Sequence, residues 1–190
     1  FGFDPLREMV RLYGEGMQTP EVVRQALGVE PAEFDERFLR FAREYVADVR
    51  VLPRPSRDKM RALKKHLRRE KQDADGWILY ALGHVARGNS SDALSAVGKA
   101  SKVRPDDPRI PAIRALVAAQ ERRTDSAVSH ATEALEKGTD VFELRMLLAG
   151  AAQRAEDFDS AKEHLSAAID AFPYQKGPGD PRLTLAKLLL

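Results

Sequence analysis

Histidines are the first residues here whose type and spacing suggest chemistry. His130 and His164 stand 34 residues apart, so two imidazoles at matching places on neighbouring elements could hold a transition metal. No Asp, Glu or third His completes a ligand set beside them, and duplication of a surface histidine would leave the same pair. His66 and His84 have no motif around them. The chain has no cysteine, which removes disulfides, thiolate metal sites and cysteine nucleophiles together. Serine nucleophile elbows, phosphate-cradling glycine loops and dinucleotide fingerprints are absent. The expectation is a chain with no catalytic centre, no metal and no cofactor.

The other chemical feature is a run of cations. Residues 54–72 carry nine basic and two acidic groups, in a chain whose formal net charge is only +2. Ser56 can cap a helix running to about Glu70, with Met60, Leu63 and Leu67 on one face. The other faces hold Arg57, Lys59, Arg61, Lys64, Lys65, Arg68 and Arg69, with Lys71 just beyond. Clustered Lys and Arg can grip phosphate in a salt-dependent way. Without interleaved aromatics or a nucleic-acid motif, a solvated face on a helix that pads its neighbour is the better reading, and nucleic acid is not the expected partner.

These residues are positioned by a repeat. Ala81, Ala115 and Ala149 are spaced 34 apart, and so are Ala93, Ala127 and Ala161, and Ala100, Ala134 and Ala168. Each copy reads as two amphipathic helices, such as Gly76 to Arg87 and Ser90 to Val103, separated by a breaker such as Gly88-Asn89-Ser90. Helix axes approach to about 8 Å only where contacting side chains are short, which accounts for columns of alanine. The second copy departs from the pattern: Arg122 replaces the glycine of the turn, and Thr139 stands where Pro105 and Pro173 close the other copies. Its turn is expected as Arg123-Thr124-Asp125 with Thr124 as cap, and its end at Gly138.

The period, with Trp77, Ala81, Ala93, Ala100 and Pro105 as landmarks, resembles the tetratricopeptide repeat (TPR). The resemblance implies an all-α fold, an α-solenoid of helix pairs with an N-terminal helical segment. The expected division is 1–52 as a three-helix segment, 53–73 as a basic linker helix, and 74–173 as three repeats (74–107, 108–141 and 142–175 in register). Residues 174–190 are then a loop and a partial fourth repeat or capping helix. In this family the first helix of each repeat lines a concave face. The resemblance places Ile78, Leu82, Val85, Arg109, Leu116, Gln120, Glu143, Met146, Gln153 and Arg154 there as candidate partner-binding residues. Carboxylate-clamp members use Lys and Asn where this chain has Ile78 and Leu82, so that activity is not expected. An apolar floor with polar flanks could take a nonpolar peptide or an amphipathic helix. Equally, the groove could be filled by other parts of the chain.

Three helices are expected before residue 52. One follows Asp4-Pro5, one follows Thr19 as cap, and one opens at Glu30-Pro31 with Phe34, Phe38, Phe41, Tyr45 and Val49 as its stripe. Leu52-Pro53-Arg54-Pro55 reads as a boundary, since each proline biases the residue before it away from helix. Gly2-Phe3-Asp4, Leu12 to Gly16, Thr19 to Val22, Ala26-Leu27-Gly28 and Phe34 to Phe38 together resemble the helical tail of bacterial gluzincin-type metallopeptidase domains. That resemblance implies an accessory or regulatory region following a catalytic domain, although the His-Glu-x-x-His motif is not in this chain. A start at Phe1 and an apolar stop at Leu188-Leu189-Leu190 are expected of a piece of a longer protein. No apolar run reaches the roughly 18 residues of a membrane span. The expected function is a noncatalytic scaffold with a protein or peptide partner.

Overall fold

The computed structural model describes residues 2–177 and 179–189. Among the described residues the secondary structure is α-helical without strands, with eleven helices: α1 (Phe3–Gly14), α2 (Thr19–Leu27), α3 (Pro31–Tyr45), α4 (Arg57–Leu67), α5 (Ala74–Val85), α6 (Ser90–Val103), α7 (Arg109–Gln120), α8 (Thr124–Glu136), α9 (Phe142–Arg154), α10 (Phe158–Ala171) and α11 (Pro181–Leu188). They form two compact units that divide between Asp48 and Val49.

In the first unit α1 packs on α2 and α2 on α3, with Leu12, Val22 and Val23 as its buried residues. The long aromatic stripe is shorter than its spacing implied. α3 stops at Tyr45, so Val49 lies outside it, and Phe38 and Phe41 stay exposed within stacked pairs with Phe34 and Tyr45. Thr19 is the first residue of α2 rather than its cap. Gln18 takes the cap position in extended backbone, and Pro20 occupies the first turn, where a missing amide hydrogen leaves no bond unmade.

The second unit is a stack of helix pairs, α5–α6, α7–α8 and α9–α10, in which α5, α7 and α9 also lie side by side. Its period is visible in the backbone: α6, α8 and α10 begin 34 residues apart, at Ser90, Thr124 and Phe158. All nine column alanines are buried. α4 packs on α5 through Met60, Leu63 and Leu67, as the spacing predicts. Ser56 caps α4, its hydroxyl accepting from the Lys59 amide (3.2 Å). The approach is close enough that a side chain at Gly83 would collide with the sulfur of Met60 and the ring of Pro55. Asp73 caps α5, accepting from the Gly76 amide at 2.8 Å.

The departures in the second repeat leave its geometry intact. The turn residue at each pair has positive φ: +73° at Gly88, +58° at Arg122 and +60° at Glu156. Arg122 therefore does by strain what glycine does freely, at about 1–2 kcal/mol for an L side chain. In each case the following amide bonds a carbonyl one helical turn and more behind it: Asn89 to His84 (3.0 Å), Arg123 to Ala118 (2.8 Å) and Asp157 to Ala152 (3.0 Å). The backbone closure thus survives the loss of glycine. Thr124 is the first residue of α8, one place after its expected cap role, and Arg123 holds the cap position without a side-chain bond. Gly138 does end the helix, at φ +92°, and the buried Thr139 donates its amide to the Ala134 carbonyl (2.8 Å) in place of a closing proline.

α11 packs on α10. Asp180 accepts from the Arg182 amide (3.0 Å), and Asp107 accepts from the Arg109 amide at the same distance. The repeated Asp-Pro-Arg therefore builds the same helix start twice. Leu190, expected in this closing helix, lies outside the described residues, as does Pro178 in the loop before it.

Candidate functional site

The second unit contains a stretch that is neither helix nor simple linker. Residues 49–55 are neither helix nor strand and pass from the α9–α10 pair towards the end of α5. The Arg50 amide donates to the Ala171 carbonyl (2.7 Å), and the Arg50 carbonyl accepts from the Phe142 amide (2.9 Å). Two residues on, the Leu52 amide donates to the Glu143 carboxylate (3.1 Å). Charges reinforce this register: Arg50 lies 3.5 Å from Asp140 and Arg54 3.8 Å from Glu143. At the far end the Pro55 carbonyl accepts from Arg87 (3.1 Å). Leu52 is 7% exposed and belongs to the core cluster that contains Leu82 and Val85. Backbone bonds hold the segment and one apolar side chain anchors it, which is how an extended peptide binds a protein surface.

Beside it lies a cavity of about 460 Å³, lined by Leu52, Pro53, Arg54, Leu82, Val85, Leu116, Gln120 and Glu143 among others. A second cavity of about 390 Å³ continues the groove past Leu116 and Glu143 to Met146, Gly150 and Arg154. The structure therefore brings Leu82, Val85, Leu116, Gln120, Glu143, Met146 and Arg154 to one groove. The remaining three candidates, Ile78, Arg109 and Gln153, line neither cavity. Ile78 is 1% exposed, in the core beneath α4 and α7. Gln120 donates to the Val85 carbonyl (2.8 Å), tying α7 to α5 across the groove floor.

Arg109 is held by carboxylates. Its guanidinium binds Asp75 and Asp107, the latter at 2.9 and 2.7 Å, and Arg104 joins the same pair at 3.1 and 3.0 Å. Asp107 is 3% exposed. The Arg109 side-chain hydrogen bond holds its carboxyl down at about 2 against the opposing cost of burial, with further help from the Arg109 amide and Arg104. Its unfolded value is near 3.9, so this network contributes about 2–3 kcal/mol that is fully present above about pH 5 and lost progressively as pH falls towards 2 and below. A melt series between pH 5 and pH 2 is expected to show this loss. Asp107→Asn should be less stable at pH 5 and should flatten the acid dependence. An unchanged acid slope in that variant would remove Asp107 as its source.

The histidines receive structural surroundings. Among the described residues no three His, Cys, Asp or Glu side chains come close enough to hold a metal ion. His164 accepts at Nδ1 from Arg145 (3.2 Å) and His130 lies 3.6 Å from Glu133. Burial pushes the His164 and His84 imidazoles below their ordinary range, favouring the neutral ring at each. Among the described residues both His84 ring nitrogens are buried without a hydrogen bond, with Asp92 3.5 Å from Nδ1, and the ring meets Tyr80 edge-on at 4.6 Å.

The sequence reading missed the residues that occupy the groove, Arg50, Leu52, Pro53 and Arg54. Their signal was the paired prolines, which favour extended backbone as strongly as they break helix.

Solved structures similar to this chain include two TPR proteins. One is TTC0263, a thermophilic TPR protein of Thermus thermophilus, with 21% identity, a TM-score of 0.54 and 97% of each chain covered. The other is the TPR2AB domain of yeast Sti1 in complex with a pHSP90 peptide, with 18% identity, a TM-score of 0.42, and 90% of this chain and 60% of that one covered. No family model matches the chain, and no curated protein does. The fold is that of a TPR solenoid. The resemblance of the N-terminal segment to a metallopeptidase tail is not shown by these similarities.

Proposed function

We propose that the chain is a noncatalytic scaffold that captures an extended segment of a partner protein across α5, α7 and α9, in competition with its own residues 49–55. The observation that carries this reading is the bonding of those residues. A groove that accepts main-chain amides at Ala171 and Glu143, donates the Phe142 amide to a main-chain carbonyl and takes one Leu side chain has the bonding of a peptide site with a peptide in it. An extended occupant is favoured over a helix, because a helix would bond its amides internally and leave those partners unmet. The charges define the ligand: basic residues either side of an apolar residue, opposite Asp140 and Glu143.

A displayed library of random peptides, selected on a chain whose own segment has been released, tests this. The selected sequences should carry an apolar residue flanked by Arg or Lys, and Leu116→Asp should weaken their binding at least tenfold with helicity unchanged. Leu116 is partly exposed, so a charge there is solvated. Leu82, at 4% exposure, is unsuitable for this purpose, since a carboxylate there would be buried and would unfold the site. Selected peptides that bind the Leu116→Asp chain at full strength would place the site elsewhere.

A further inference from the structure

A separate cavity of about 690 Å³ opens among α4, α5 and α6. It is within the volume range of pockets that take small ligands or a few side chains. Its apolar surface is Leu67, Trp77, Tyr80 and Val103, and five cations surround it: Lys64, Arg68, Lys71, Lys99 and Lys102. None of the lining residues is acidic. No carboxylate pairs with any of the five cations among the described residues. The contrast within one chain is sharp: Arg104 and Arg109, a few residues further on, are both committed to Asp75 and Asp107.

Lys64, Arg68 and Lys102 sit in or just beyond the last turns of α4 and α6, where cations complement the helix dipole, with Lys99 one turn earlier. That placement explains their sign. It does not explain their convergence from two helices, 35 residues apart between Lys64 and Lys99, around a concavity floored by two aromatic rings. Self-repulsion among five like charges costs stability unless an anion relieves it.

We infer that this cavity is a docking site for an acidic peptide segment in which an aromatic or aliphatic side chain is flanked by Asp and Glu. Two features select this chemistry over nucleic acid or free phosphate. The Trp77 ring already carries Lys99 over its face, 4.3 Å from the centroid, so it offers no open platform for stacking a base. The cations are dispersed around an apolar floor, which matches carboxylates spread along a peptide with an apolar residue between them. This site is separate from the groove holding residues 49–55, and its failure would leave the groove reading untouched.

Trp77 is the chain's single tryptophan, so its emission reports on this cavity. The full chain is titrated with the capped peptide Glu-Glu-Asp-Phe-Asp-Glu-Leu-Glu-Glu, following Trp77 emission and, in parallel, heat. The controls are the same peptide with Phe and Leu replaced by Ser, oligothymidylate, and sodium tripolyphosphate. The expected result is saturable binding that weakens at least tenfold with the Ser peptide, and at least tenfold in Lys64→Gln/Lys102→Gln. Both lysines are exposed, so the double variant folds. Absence of saturable binding by either readout overturns the inference. So does binding by the double variant at full strength, or tripolyphosphate or oligothymidylate binding as tightly as the peptide, which would make the cavity a general anion site.

Discussion

Leu52→Asp is expected to lift residues 49–55 out of their groove and to raise the rate of tryptic cleavage between Arg50 and Val51 by about 100-fold. Withdrawing a buried Leu side chain forfeits about 1.5–3 kcal/mol. The introduced carboxylate also faces Glu143, whose side chain accepts from the Leu52 amide at 3.1 Å, and two like charges at that range repel. A combined loss of about 3 kcal/mol shifts an attached–detached equilibrium by roughly 100-fold. Arg54 is no alternative target, because Pro55 follows it. Far-UV circular dichroism should barely change, since the segment adds no helix. An unchanged cleavage rate would mean that the segment is held by more than the Leu52 anchor and its bonds.

Ala115→Leu is expected to lower the melting temperature by about 6–12 °C. Ala115 is fully buried in the cluster formed with Ala112, Ala131, Ala134, Leu144 and Leu148, where α7 meets α8 and α9. Three added carbons there have no void to enter, so the helices must separate or the side chain must leave its rotamer. Overpacking of this kind costs about 1–3 kcal/mol, and the value here belongs at the upper end because two helix crossings share the residue. At about 2–4 °C per kcal/mol for a unit of this size, the shift is readily seen in a thermal melt. Ala119→Leu, on the exposed face of the same helix, should change the melt by less than a quarter as much. Equal effects at the two positions would show that the alanine columns are not crossings.

The solenoid was legible in the sequence for the reason that Ala115 illustrates. A close crossing dictates residue size and nothing else, so it leaves a column that survives when turn residues change from Gly88 to Arg122 to Glu156. The α4 stripe was legible because a helix repeats every three to four residues. The groove's occupant was not. Arg50 bonds residues 92 and 121 positions away, Phe142 and Ala171, through backbone atoms that every residue possesses, and a lone Leu52 among prolines has no periodicity.

Face assignment fared unevenly for a related reason. α5 is apolar on nearly all sides, so counting positions could not separate Ile78, which is sealed in the core, from Leu82 and Val85, which reach the groove. Arg109 was counted as a partner contact, and it is held instead by Asp107, two residues before it, and by Asp75, 34 residues earlier. The cationic cavity escaped notice because the basic run was read along one helix, where it resembles a solvated face. Its second wall, Lys99 and Lys102, belongs to α6 of the first repeat.

One titration bears most directly on the proposed function. A labelled peptide with the sequence of residues 48–55 is added to the full chain carrying Leu52→Asp and, separately, to the unaltered chain. If the groove is a peptide site occupied in cis, the peptide binds the variant saturably and the unaltered chain at least tenfold more weakly, because a tethered competitor acts at an effective concentration in the millimolar range. No binding to the variant, or equal binding to both, would contradict the account.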